Sequence, residues 1–130
     1  MNKEVKTKKA PKALGPYSQA VKNGKVLYCS GQIGINPMTG KFVSDLSVEE
    51  QAVQALNNLK EVLGAAQMTP KDVVKVTVFM TNIADFKAVN EIYANFFADN
   101  ECLPARSAVG VQALPAGALV EVEAIARKNN

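Results

Sequence analysis

Hydrophobic positions in the middle of the chain recur at the spacing of amphipathic helices. One segment after Ser47 keeps this spacing for about five turns, and its apolar positions are Ala52, Ala55, Leu56, Leu59, Leu63 and Ala66. Ser47, followed three residues later by Glu50, has the residue types of a capping box and marks the start of this helix. Asp85 is a candidate N-cap for a second helix. The inner side of that helix would carry Phe86, Val89, Tyr93, Phe96 and Phe97.

Other segments have the composition and alternation of strands. Asn23-Gly24 is a favoured two-residue hairpin sequence and would join a strand within Tyr17–Lys22 to one within Lys25–Ser30. Val73–Met80 is dense in β-branched residues, as a buried strand is. Two further strands are predicted, separated by turn residues: Arg106–Val111, read as a buried strand, and Leu119–Arg127.

The element order ββ(β)αβαββ predicts one α+β domain over residues 1–130, with two helices in one layer and a mixed sheet in the other. Two helices cover only one face of a sheet. We expect the other face to carry Val, Ile and Cys residues, and an exposed apolar face of that kind predicts association of subunits.

The net charge of +3 comes largely from residues 1–12, which contain five of the lysines. We expect this segment to be a flexible, solvated tail, although such a run could also contact RNA or phosphate. Without Trp there is no obvious stacking platform for single strands, so nucleic acid is not an expected partner. No apolar run has the length of a membrane span or a secretory signal, and we expect a cytoplasmic protein.

Histidine is absent, and the only thiols are Cys29 and Cys102. The catalytic arrangements that require His are therefore excluded, along with most zinc and iron sites. The two cysteines lack metal-ligand spacing, so no metal site is expected, and Cys29 fits a small core residue better than a nucleophile. Acid-base chemistry would have to come from carboxylates, Tyr, Lys, Ser, backbone groups or water.

Arg106 is one of two arginines in the chain and opens an apolar segment. A guanidinium in a buried strand needs an anion, because an unpaired buried charge is costly. Its planar fork suits a carboxylate held through two hydrogen bonds. The carboxylate could belong to a structural Asp or Glu or to a bound ligand, and Arg106 alone does not separate the two.

The last predicted strand places two carboxylates on one face. Alternation puts Glu121 and Glu123 on the same side, together with Leu119 and Ile125. A solvated edge, or pairing with a neighbouring cation, explains the pattern as well as a functional role does. Glu121 is also a candidate partner of Arg106, because consecutive strands are usually neighbours.

Five short motifs, in this order and spacing, resemble the Rid (reactive intermediate deaminase) family of YjgF-type proteins, most closely its RidA branch. They are Gly15-Pro16-Tyr17-Ser18-Gln19-Ala20, Ser30-Gly31-Gln32-Ile33, Asn90 with Tyr93 and Phe96-Phe97, Pro104-Ala105-Arg106-Ser107, and Glu121-Val122-Glu123-Ala124. The resemblance runs from about Ala10 to Lys128. It implies a chorismate-mutase-like fold, a homotrimer with clefts between subunits, and no cofactor. The implied activity is hydrolysis of 2-imino or 2-enamino acids to 2-keto acids and ammonia.

The resemblance also implies roles for individual residues. Arg106 would bind the substrate carboxylate, and Glu121 would activate water or shuttle a proton. Tyr17, Ser30, Gly31 and Asn90 would line the cleft. Three of these have structural alternatives: Tyr17 as a packed ring, Ser30 as the partner of a local backbone group, and Asn90 as a structural amide.

One position departs from the RidA pattern. Ala108 stands two residues after the arginine, where that branch usually has Cys, so any thiol contribution is absent. Backbone groups of Ala108 could still bind the imino nitrogen.

Three other functions remain open at this point. A regulatory protein could use the same cleft to sense 2-keto acids without turnover, and would need Arg106 but not Glu121. An endoribonuclease or translation inhibitor would need a basic surface near the clefts. A mutase rests on the fold resemblance alone, which is weak evidence for activity.

Overall fold

The protein folds into one six-stranded sheet with two helices packed against it, as seen in a computed structural model that describes residues 1–129. The helices are α1 (Val48–Ala65) and α2 (Phe86–Phe96). The strands are β1 (Asn2–Val5), β2 (Ala20–Asn23), β3 (Val26–Ile33), β4 (Ile35–Asn36), β5 (Lys41–Phe42), β6 (Val73–Met80), β7 (Ala105–Gly110) and β8 (Val120–Arg127). The predicted α+β architecture, with a mixed sheet on two helices, is confirmed.

The strand order in the sheet is β1-β2-β3-β8-β6-β7, and β4 pairs only with β5 in a separate small hairpin. Strand β8 is central and antiparallel to both neighbours, β3 and β6. Strands β6 and β7 are parallel and are connected through α2, as a parallel crossover requires. The expectation that β7 and β8 are neighbours is therefore wrong, because β6 lies between them.

Both helices pack on the same face of the sheet. The alternating residues Val120, Val122, Ala124 and Ala126 of β8 all point into this core, on the face opposite Glu121 and Glu123, in keeping with the predicted alternation. The start of α1 is confirmed as well, because Ser47 Oγ accepts a hydrogen bond from the Glu50 amide. The reciprocal half of the capping box is replaced, since the Ser47 amide donates to Ser44 Oγ instead.

The start of α2 differs from the prediction. Asp85 makes no side-chain cap hydrogen bond. A short 3-10 turn, Ile83–Asp85, precedes the helix, and Asn82 caps that turn by accepting from the Ala84 amide. The extra turn moves the capping function three residues upstream of the predicted position.

The N-terminal segment is not the flexible lysine-rich tail that its composition suggested. Residues 2–5 form β1, which pairs antiparallel with β2 and extends the sheet. Behind it, the buried amide of Gln19 donates to the carbonyl oxygens of Thr7 and Pro11 and accepts from the Thr7 amide. Gln19 thereby fixes the path of the chain that leads to the cleft described below.

The predicted hairpin at Asn23-Gly24 forms one residue later than expected. Asn23 pairs with Val26, so that Gly24 and Lys25 are the turn residues. Gly24 has a φ of 60°, a left-handed conformation that suits glycine at the first turn position. No helix among the described residues is long and apolar enough to cross a bilayer.

The open face of the sheet is less apolar than expected. It carries Tyr28 and Ile125 but also Lys75, Thr77 and Glu123. Cys29 is buried and pairs with Ala20 and Ala124, which belong to the helix-side core. The open face therefore offers a mixed polar and apolar surface rather than the purely aliphatic one expected.

Candidate active site

A cleft of about 220 Å³ opens at one end of the exposed sheet face. Three of the residues singled out from the sequence, Tyr17, Gly31 and Glu121, line it together. They come from the loop before β2, from β3 and from β8, so the cleft depends on the tertiary fold. The remaining lining residues are Pro11, Lys12, Ala13, Leu14, Gln19, Gln32, Ile33, Ile35 and Pro115.

Glu121 occupies the space left by the missing side chain of Gly31. A Cβ atom on Gly31 would lie 2.7 Å from Cδ of Glu121 and 3.0 Å from Cγ. These distances are well inside ordinary carbon contacts, so only glycine permits this position of the carboxylate. The resemblance implied that Gly31 lines the cleft; in the fold, Gly31 lies there and its immediate neighbour is the Glu121 side chain.

The environment of Glu121 favours its protonated form. Partial burial of the carboxyl raises its pKa, and the charge of Glu123 on the same face raises it further. A carboxyl group with a raised pKa can take up and return a proton more readily near neutral pH. The carboxyl group in this cleft is therefore suited to acid-base chemistry.

Tyr17 is fixed at the mouth of the cleft by a local hydrogen bond. Its hydroxyl accepts from the Leu14 amide at 3.1 Å, while about half of the side chain is exposed. Ser30 lies on β3 next to Gly31 but does not line the cleft, because its hydroxyl donates to the Ser18 carbonyl at 2.6 Å. The structural interpretation of Ser30 fits better than the expected role in lining the cleft.

Two buried amides of α1 hold the rim of the cleft and were not identified from the sequence. Asn58 donates to the carbonyl oxygens of Ile33 and Ile35. Gln51, seven residues and about two turns earlier on the same stripe of the helix, accepts from the Leu119 amide just before β8. The available signal was the pair of polar residues seven apart on the apolar side of α1.

Arg106 lies on the other side of the sheet, against α2. Its Nη1 donates to Asn90 Oδ1 at 2.6 Å. The guanidinium carbon lies over two aromatic rings, 4.7 Å from the Tyr93 centroid and 5.3 Å from the Phe86 centroid. Among residues 1–129, Arg106 forms no ion pair.

This location corrects two expectations. Arg106 is half-buried on an edge strand, not enclosed in a buried one, since β6 is the one neighbour of β7 among the described strands. It also does not pair with Glu121. Arg106 is in register with Val76 of β6, and Glu121 is in register with Phe79 of the same strand. The side chains of Arg106 and Glu121 therefore point to opposite faces of the sheet. Strand spacing and rise per residue then separate their backbones by roughly 14 Å within one subunit.

Ala108 and the two cysteines lie outside the residues that line the cleft. Ala108 is half-buried beside Val78, on the same side of β7 as Arg106. Burial raises the pKa of the Cys29 thiol to about 12, which fits a core residue and not a nucleophile. Cys102 is exposed. The described residues contain no cluster of three or more potential metal ligands.

Comparison with known proteins places this geometry among characterised folds. A family model described as Endoribonuclease L-PSP matches residues 7–128. The human 2-iminobutanoate/2-iminopropanoate deaminase is 50% identical over 122 residues, which cover 94% of this chain and 87% of the human protein. A solved structure from Yersinia pestis, YyfA of the conserved Rid protein family, is 48% identical with a TM-score of 0.94, covering 98% of this chain and 100% of that one. Escherichia coli TdcF with bound serine is 40% identical with a TM-score of 0.92, covering 98% and 99%.

Proposed function

Because the chain belongs to the Rid (endoribonuclease L-PSP) family, we propose that it is a deaminase that hydrolyses 2-imino or 2-enamino acids to 2-keto acids and ammonia. The substrates would be small, such as 2-iminobutanoate and 2-iminopropanoate. Relatives whose names state this activity share about half of their residues with this chain, and they support the proposal. The reaction needs only water as a co-reactant, and we propose that no cofactor takes part.

The state of Arg106 is the observation that carries the proposal. Its guanidinium is held by an amide oxygen and two neutral rings, and no carboxylate of the described chain neutralises it. A guanidinium uses its five donors best on a planar, two-oxygen anion. The carboxylate of a 2-imino acid is such an anion. The structural alternative, in which Arg106 pairs with a protein carboxylate, finds no such partner among residues 1–129.

Glu121 would supply the acid-base chemistry at the imino carbon. It would accept a proton from a water molecule as the water oxygen bonds to C2, giving a carbinolamine. Proton transfer to the nitrogen and cleavage of the C–N bond would then release ammonia and the 2-keto acid. The imino carbon is already electrophilic, so positioning and charge stabilisation are the main requirements. The raised pKa of Glu121 suits a group that both takes and returns a proton.

Two subunits would be needed to complete this site. Arg106 and Glu121 lie on opposite faces of one sheet, so a single subunit cannot present both to one small substrate. We therefore propose a homotrimer in which Arg106 of one subunit faces the Glu121 cleft of the next. The exposed face of the sheet supplies the association surface. Light scattering should give about three times the chain mass of 13.9 kDa, and a stable monomer would contradict this assembly.

The decisive experiment measures ammonia and keto-acid release from freshly generated 2-iminobutanoate. Glu121→Gln keeps size and hydrogen bonding but removes the basic oxygen, and should lower turnover by about 10²-fold or more. Glu123→Gln is the matched control on the same face of β8, outside the residues that line the cleft. Its effect should be much smaller. Normal turnover by Glu121→Gln, or greater damage from Glu123→Gln, would contradict the assigned role. A wild-type protein that binds 2-keto acids without turnover would indicate the sensor instead.

A further inference from the structure

One stripe of α2 faces the edge strand and surrounds the guanidinium of Arg106. Phe86, Asn90 and Tyr93 follow one another at spacings of four and three residues, which places them on one side of the helix. Asn90 supplies the hydrogen bond, and the two aromatic residues supply ring faces. The three contacts come from a single rigid element and reach the same charged group.

Both rings lie within the distance at which a cation is attracted to an aromatic face, about 6 Å from the centroid. Tyr93 contributes its ring and not its hydroxyl, because that hydroxyl is buried and has no hydrogen-bond partner in the described structure. The Tyr93 ring is itself braced by Phe97, with ring centroids 4.8 Å apart. Tyr93 is therefore part of the hydrophobic core, whereas Phe86 is partly exposed beside the guanidinium.

We propose that Phe86 and Tyr93, here called the ring cradle, are positioning residues that hold Arg106 ready for the substrate carboxylate without neutralising its charge. A protein carboxylate in their place would compete with the substrate for the same donors. Rings and an amide oxygen restrict the long side chain while leaving most N–H groups free for the ligand. The inference deepens the proposed function, since it rests on Arg106 as the carboxylate-binding group.

The ring cradle should act on substrate binding and not on the chemical step. A preorganised side chain avoids an ordering cost on binding, and losing that advantage weakens affinity by about two- to tenfold. The substrate carboxylate is bound similarly before and during the reaction. A change in the cradle should therefore raise KM and leave kcat nearly unchanged. A variant that is partly unfolded would instead contain less active protein, and its apparent kcat would fall.

The test compares Phe86→Leu with Phe96→Leu. Both residues lie on α2, but Phe96 packs on Phe97 and does not contact Arg106. Calorimetry with 2-oxobutanoate, a stable 2-keto acid, reads the carboxylate affinity without catalysis. We expect Phe86→Leu to weaken binding by two- to tenfold and Phe96→Leu to change it by less than twofold. Because Tyr93 is buried, it is tested by a pair: Tyr93→Leu should weaken binding and Tyr93→Phe should restore it.

A second measurement needs no ligand at all. The side-chain N–H resonance of Arg106 lies beside two ring currents, so its chemical shift should move in Phe86→Leu and stay in place in Phe96→Leu. The cradle is overturned if Phe86→Leu and Phe96→Leu behave alike in both measurements.

The same binding data separate the two proposals. A wild-type protein that binds 2-oxobutanoate but hydrolyses no imine would refute the deaminase while the cradle stands. A wild-type protein that turns over imines, with Phe86→Leu unchanged in KM and affinity, would refute the cradle alone. Absence of any 2-oxo acid binding would refute both.

Discussion

Substitution of Gly31 by alanine should displace the Glu121 carboxylate while leaving the fold intact. The added Cβ would lie 2.7 Å from Cδ of Glu121, whereas carbon atoms in contact are about 3.5 to 4.0 Å apart. The carboxyl group must therefore move by about 1 Å or adopt another rotamer. The three nearest atoms all belong to the end of one flexible side chain that faces the cleft, so nothing in the backbone has to shift.

The expected consequence is a loss of rate with little change in stability. A misplacement of about 1 Å in a catalytic group lowers turnover by about 10²-fold. The rotamer strain costs about 0.5 to 1.5 kcal/mol. The reduced freedom of the unfolded chain returns about 0.4 to 1 kcal/mol, because Gly31 does not have a positive φ. The net change in the free energy of unfolding should stay within about 1 kcal/mol. Single-turnover imine hydrolysis and urea unfolding measure the two quantities separately.

Gly34→Ala is the matched control and should give the opposite result. A Cβ at Gly34 would lie 2.6 Å from Cα of Gln51, in the backbone of α1, so the helix itself would have to move. Overpacking of this kind costs about 1 to 3 kcal/mol. If Gly31→Ala unfolds as Gly34→Ala does, or hydrolyses imines at the wild-type rate, the Glu121 position does not depend on Gly31 in the way described.

Three further predictions follow from the site. Arg106→Lys should keep the trimer but lower kcat/KM by about 10- to 10²-fold, because lysine lacks the two-point fork; dissociation or unfolding with unchanged activity per folded trimer would instead show a structural role. Burial raises the pKa of Glu121 in the folded protein. The contribution of this carboxyl to stability is therefore fully present below its pKa in the unfolded chain, and it is lost as the pH rises through its pKa in the folded protein. Glu121→Gln should therefore melt at a higher temperature than wild type at pH 7 but not near pH 4, and an advantage that grew on acidification would contradict this sign. Alkylation followed by mass spectrometry should label exposed Cys102 in the native protein and reach buried Cys29 only after unfolding, and native labelling of Cys29 would refute its burial.

The parts of the fold that the sequence predicted are those with a local signal. The Val73–Met80 strand and the amphipathic face of α1 arise from periodicity within one segment, and both are found where predicted. The core-facing alternation of β8 is correct for the same reason. These patterns indicate which side of a helix or strand is buried, and burial of that side drives the formation of the element.

Relations between segments could not be derived in the same way. The position of β6 between β7 and β8 depends on pairing between segments far apart in the chain, which the local pattern of each strand does not predict. The N-terminal segment is ordered by the pairing of β1 with β2 and by Gln19 contacts that span eight to twelve residues. Arg106 stands out in the sequence because it opens an apolar segment. Its partners Asn90, Phe86 and Tyr93 belong to another element, so the sequence suggested an anion where one subunit supplies an amide and two rings.

The central position of β8 sets the order in which this protein can assemble during synthesis. Strand β8, which lies between β3 and β6, is synthesised after all the other strands of the sheet. Until residues 120–127 emerge from the ribosome, the β1-β2-β3 group and the β6-β7 pair have no common strand, and long-range pairings of this kind form slowly. Glu121 arrives with that last strand. A nascent chain, or one truncated before residue 120, therefore has neither a continuous sheet nor the cleft carboxylate, and the proposed chemistry becomes available only when folding is complete.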